Sequence, residues 1–222
     1  MRIIFAVAFK GHRKPEVYGI WQVPASIWIM RLYFFLLTIF LAFSGCSTRN
    51  LSGTRKQRKV YTHETRAFIN SIRKTQFPSD TILLVDRPNM KEVENCLNLL
   101  FQDSSLFTPT EQELIRIQIG NPALKKWNAD LVDHADFISR DTLNAIFKDG
   151  NRSWTYFHKR YGSSFHSFSA PIFLRNNTLC LFYSDYACGG LCGAGHTILY
   201  KKEEESWIVF KSFCYWISWI IY

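Results

Sequence analysis

Cys188-Gly-Gly-Leu-Cys192-Gly-Ala-Gly-His196 is the one stretch of this chain where chemistry-bearing side chains crowd together. Two thiols and an imidazole are donors suited to zinc or copper. Both gaps are three residues long, and a fourth ligand would have to come from His166, Cys180 or Cys214. Metal binding by Cys188, Cys192 and His196 therefore stands as an alternative. The main expectation is a disulfide between Cys188 and Cys192, because nearby cysteines pair in an oxidising compartment. Gly189, Gly190, Gly193 and Gly195 let the loop curl enough to close it. So short a ring adds only about 2 kcal/mol. Redox activity is not expected: the spacing is not C-x-x-C, and no helix start follows to depress a thiol pKa.

Covalent catalysis needs a nucleophile, a base and an orienting group within reach. Cys192, His196 and Asp185 can be drawn that way, and an envelope hydrolase using Cys192 or His196 is the second alternative. All three fall in one strand–loop–strand with no family signature around them. His134, in Asp133-His-Ala-Asp136, reads as part of a polar loop or helix cap. His158 falls on the exposed side of a helix, and Glu203–Glu205 is a solvated turn. There is no P-loop, no G-x-G-x-x-G after a strand and no G-x-S-x-G. No catalytic residue is assigned and no cofactor is expected. Of the other cysteines, Cys96 lies on an apolar helix face and is expected free. Cys180 and Cys214 are expected either to pair or to stay reduced in the core.

The elements that must position these groups follow from periodicity. Phe68, Ile69 and Ile72 mark a helix over Thr62–Lys74, and Thr81–Val85 is a buried strand or extended segment. Asn89 with Glu92 forms a capping box for a helix to Leu100. Thr108-Pro109 with Glu111 starts a helix that stops at Gly120-Asn121-Pro122. Ser139 opens a short helix carrying Leu143, Ile146 and Phe147, which Gly150 ends. Trp154, Phe157 and Tyr161 share one more helical face. After Phe165 the grammar becomes strand-like: Phe165–Leu174, Leu179–Tyr186, His196–Lys201 and Ser206–Ile217. The fold class expected is α+β, N-terminal helices packed on a C-terminal four-stranded antiparallel meander. The apolar tail WIVFKSFCYWISWIIY is a strand and not a membrane span, since it is only 16 residues and contains Lys211, Ser212 and Ser218.

Upstream, Arg31 precedes an apolar run from Leu32 to Phe43 with Thr38 as its one polar residue, and then Phe43-Ser44-Gly45-Cys46. This resembles a bacterial lipoprotein signal ending in a lipobox, although Phe43 departs from the preferred Leu or Val. The resemblance implies cleavage before Cys46, with a palmitate-type acyl anchor on that cysteine. Twelve residues reach about 18 Å as helix, too short for a hydrocarbon core of about 30 Å. Residues 1–29 fit no part of a signal peptide and are read as a gene-model extension ahead of Met30. The domain plan is then 30–45 signal peptide, 46–60 basic tether and 61–222 a single α+β domain. Ser47 is not an acidic retention signal, which favours the outer membrane.

Charge is unevenly spread. The full chain is +9, and between Arg49 and Lys74 eight Lys or Arg stand against Glu64 alone. That tether sits well against anionic headgroups, or is simply solvated and extended. A stripe this short, without aromatic interleaving, excludes nucleic acid as a partner. From Trp154 to Ser218, the pattern Trp154, Phe157, Tyr161, Ser169-Ala-Pro171, Tyr183, Cys188-Gly189, Cys192-Gly193-Ala-Gly195, Lys201-Lys202 and Trp207 resembles a group of uncharacterised secreted or lipid-anchored proteins of Bacteroidetes-type bacteria. No activity comes with that group. The sequence therefore points to a lipid-anchored envelope protein. Its expected role is non-catalytic binding, with the membrane and an envelope protein or glycan as partners.

Overall fold

A computed structural model describes residues 51–76, 81–149 and 153–218. Residues 1–29, the signal segment 30–45 and the lipidation candidate Cys46 lie outside the described residues. Seven strands form one mixed sheet: β1 (Ile82–Val85), β2 (Ala135–Ile138), β3 (Phe165–Phe168), β4 (Ile172–Leu174), β5 (Leu179–Gly189), β6 (Cys192–Glu203) and β7 (Ser206–Ser218). The order is β2-β1-β3-β5-β6-β7, with β4 also on β5. β1 pairs in parallel with both β2 and β3, and the remaining pairs are antiparallel.

This corrects the expected α+β meander. The fold is mixed α/β, and the meander is only one side of a larger sheet. Leu84 pairs with both Phe137 and His166, so the TILLV segment lies between two strands and not outside the sheet. The Asp133–Asp136 stretch, expected to be a polar loop or helix cap, runs into β2, in which only Phe137 and Ile138 are large and apolar. β2 is the outermost strand, with Asp136 exposed, and an edge position tolerates that polarity. The run expected as one strand from Phe165 to Leu174 breaks into β3 and β4. Pro171 has no N–H to give a ladder. At the break, Ser169 Oγ accepts from the Tyr183 N–H at 2.9 Å in place of a backbone carbonyl.

Both faces of the sheet are covered. On one lies α1 (Leu51–Gln76), which begins well before Thr62 and takes in most of the segment expected to be a tether. No Pro or Gly interrupts the chain from Thr54 to Gln76, so nothing stops the helix. Residues 55–60 are exposed, whereas Thr65, Phe68, Ile69 and Ile72 are buried. Phe68 meets Phe173, Phe182, Tyr200 and Trp207 edge-to-face at centroid distances of 5.1–6.1 Å. Trp127, Leu131 and Val132 complete this core.

The opposite face holds α2 (Met90–Asn95), α3 (Leu97–Leu100) and α4 (Pro109–Gly120). The capping box at Thr108 and Glu111 forms in full. The one expected at Asn89 does not: no side-chain bond caps that helix, and Glu92 instead accepts from Asn95. α5 (Arg140–Lys148) starts at Ser139, whose hydroxyl accepts from the Thr142 N–H. With α6 (Trp154–Tyr161) it closes a third cluster around Val85, Ile138 and Phe157. Cys96, expected free, is bonded to Cys214, which fastens the α2–α3 junction to β7. Cys180 is the free cysteine of the described residues, and burial raises its thiol pKa well above the usual value.

Candidate functional site

The cysteine–histidine cluster sits at the closed end of the β5–β6 hairpin. Residues 188–195, expected to interrupt the strands, are largely strand themselves. Cys188 and Cys192 form a disulfide across the tip, with Cα atoms 5.0 Å apart. Leu191 projects from the enclosed loop at 59% exposure. His158, on α6, lies against this tip with its Nε2 3.0 Å from the Cys188 carbonyl oxygen.

Register separates the groups that the nucleophile drawing joined. Ser184 pairs with His196, and Asp185 pairs with Gly195. Successive strand residues point to opposite faces, so His196 and Asp185 are on opposite sides of the sheet. Cys192 is in a disulfide and offers no thiolate. The Cys192–His196–Asp185 arrangement is therefore not assembled. For the same reason the bridged sulfurs supply no thiolate ligands. Among the described residues no group of three or more His, Cys, Asp or Glu side chains converges for a metal ion.

On the α1 side, His196 Nε2 is 3.4 Å from Ser184 Oγ, and the imidazole stacks on Tyr215 with planes 19° apart. Burial lowers the pKa of His196, and Ser184 itself is only 2% exposed. A hydroxyl so covered is a packed core group, not an accessible nucleophile. Nearby on β3, His166 pairs across with Tyr186. Burial, reinforced by the charge of Arg73, pushes the His166 pKa down to about 4.

On the other side the glycines do something the sequence did not reveal. A Cβ on Gly195 would lie 2.5 Å from Trp216 Nε1, and one on Gly193 would lie 2.7 Å from the Tyr186 carbonyl oxygen. The bare β6 backbone lets the Trp216 indole cross it from β7 and donate to Tyr183 Oη on β5 at 3.1 Å. Tyr183 donates in turn to Asp185 Oδ2 at 2.7 Å, and Asp185 Oδ1 accepts from the Ser167 N–H at 3.0 Å. Burial raises the pKa of Asp185 against the pull of these bonds, and raises that of Tyr183 with help from the Asp185 charge. The Trp216–Tyr183–Asp185–Ser167 chain spans β7 to β3, with every named donor matched to an acceptor. It braces the sheet from β7 to β3. The sequence signal was glycine at alternate positions of one strand beside an aromatic-rich neighbour.

Two surface features remain. β7 ends the sheet order and exposes Ile208, Val209, Phe210, Tyr215 and Trp216. A cleft of about 220 Å³ lies between Gln57, Val60 and Tyr61 of α1, Leu114 and Gln118 of α4, and Phe173 of β4. No helix of the described residues is long and apolar enough to cross a membrane. No protein-family model, curated protein or solved structure matches the chain.

Proposed function

We propose that this chain is a lipid-anchored protein of the bacterial cell envelope whose disulfide-braced α/β body binds an envelope partner, without chemistry of its own. The observation that carries the binding reading is the outermost strand β7. Its exposed Ile208, Val209, Phe210, Tyr215 and Trp216 give one element five large apolar side chains in contact with water. These side chains alternate between the two faces of the strand, so they flank an open sheet edge whose unpaired backbone groups offer a template for a partner. Two disulfides, Cys96–Cys214 and Cys188–Cys192, favour an oxidising compartment. The lipobox-like Phe43-Ser44-Gly45-Cys46 favours acylation at Cys46, and Ser47, which is not an acidic retention signal, favours the outer membrane.

The two parts are tested separately. Intact mass of the native protein should show a chain starting at Cys46 and carrying fatty acid, and Cys46→Ser should be neither processed nor retained. A wild type without acyl mass removes the anchor. For the binding role, a photo-crosslinking residue placed at Val209 should capture one envelope component in living cells. Phe210→Asp should abolish that capture without changing the unfolding midpoint. Equal capture from an exposed control position such as Glu113 removes β7 as the surface.

A further inference from the structure

We infer that the exposed residues 55–59 of α1 form a second, electrostatic attachment that lays this part of the helix against the headgroups of an anionic phospholipid bilayer. The inference rests on the proposed lipid anchor and adds a contact to it. Arg55, Lys56, Arg58 and Lys59 are all exposed on α1, and among the described residues none of the four meets an acidic side chain. Further along the same helix the situation reverses. Arg66 pairs with Asp133 at 3.1 Å, and Glu64 is met by Lys202 at 3.6 Å. Over residues 55–72 of the helix, the uncompensated charge is thus confined to the part that precedes the buried stretch.

Three observations select a membrane as the occupant. The helix brings four cations within two turns of one another, whereas a flexible tether would spread them out. Arg55 is nine residues beyond Cys46, so an acyl chain there would hold these turns within reach of the bilayer surface. The rest of the chain does not compete, since residues after Lys74 carry 14 basic and 16 acidic side chains. Attraction to an anionic leaflet is worth about fivefold in affinity per basic residue near the surface.

The test uses the full-length acylated protein reconstituted in vesicles, with amide hydrogen exchange read over residues 55–60. Vesicles containing about 30% phosphatidylglycerol should slow this exchange by about tenfold or more relative to pure phosphatidylcholine. The slowing should vanish in about 0.5 M sodium chloride, where the screening length falls to about 4 Å. It should be absent in a variant carrying Arg55→Gln, Lys56→Gln, Arg58→Gln and Lys59→Gln, whose unfolding midpoint stays near wild type. Equal exchange on the two vesicle types overturns the inference, as does slowing that survives salt. Slowing by lipopolysaccharide aggregates but not by phosphatidylglycerol overturns it in favour of a glycolipid. Failure of the anchor is read independently, as loss of co-flotation with phosphatidylcholine vesicles and no acyl mass at Cys46. The exchange contrast is then measured with protein added to preformed vesicles.

Discussion

Glycine at position 195 is required by what lies over it, not by its own backbone. A methyl group there would press on Trp216 Nε1 at 2.5 Å and on Asp185 Cβ at 2.8 Å. The indole cannot yield without giving up its bond to Tyr183. Gly195→Ala should therefore cost about 1–3 kcal/mol by overpacking. Trp216→Phe, which deletes only the N–H and some ring area, should cost about 1 kcal/mol. Urea denaturation of both variants orders the two effects, and a neutral Gly195→Ala would refute the stacking account. His166 supplies a different kind of test. Its pKa is about 4 when folded, against an ordinary value near 6.5. Above about pH 6.5 the ring is neutral in both states and its contribution is complete. As pH falls from there toward 4 the unfolded chain takes up the proton first, so stability is lost across that window. Asp185, whose pKa burial raises, acts in the opposite sense: its contribution is lost as pH rises. His166→Gln isolates the histidine: its denaturation midpoint should fall less between pH 7 and pH 4.5 than the wild-type midpoint does. An identical fall would assign the pH dependence elsewhere.

At the level of elements, the two disulfides have unequal work. Cys96–Cys214 closes a separation of 118 residues and Cys188–Cys192 one of 4. On the chain-entropy account these are worth about 5 and about 2 kcal/mol. Removing the first pair with Cys96→Ala and Cys214→Ala should lower stability more than removing the second with Cys188→Ala and Cys192→Ala. Thermal midpoints of the two double variants decide it, and the reverse order would mean that the short bridge holds the tip in a way loop entropy does not capture. Which elements could be read beforehand depended on how local their signals were. Thr108-Pro109-Glu111 and Ser139 announce helix starts within a few residues, and both caps are formed. The Cys188–Cys192 ring also lies within one loop. The partner of Cys96 is 118 residues away and no periodicity points to it. β2 was missed because an edge strand of four residues with Asp136 facing water lacks an apolar pattern. The glycine-rich run hid a strand because its side-chain area comes from Trp216 on β7 and not from its own residues.

The whole molecule is organised around contacts that local patterns cannot specify. Parallel pairing of Ile82–Val85 with Ala135–Ile138 brings together residues about fifty apart in sequence, and pairing of Leu84 with His166 spans about eighty. Such pairings are decided by which apolar faces can be buried together, and that becomes visible only when the layers are assembled. α1 shows the consequence. Read alone, its first half is a polar stretch next to a short amphipathic helix. In the assembled fold it is one helix of 26 residues, and its Phe68 side chain is fully buried among Phe173, Phe182, Tyr200 and Trp207. Those four rings come from β4, β5, β6 and β7. A helix that closes the core over four strands cannot detach while the sheet stays intact. Phe68→Ala should therefore cost about 3–5 kcal/mol and lower the stability of the sheet as much as that of the helix. Amide exchange in the variant should accelerate by a similar factor in β5, in β6 and in the buried part of α1. Acceleration restricted to α1 would show that the helix is a separable appendage, and the sheet would then have to be stable without the layer that covers this face.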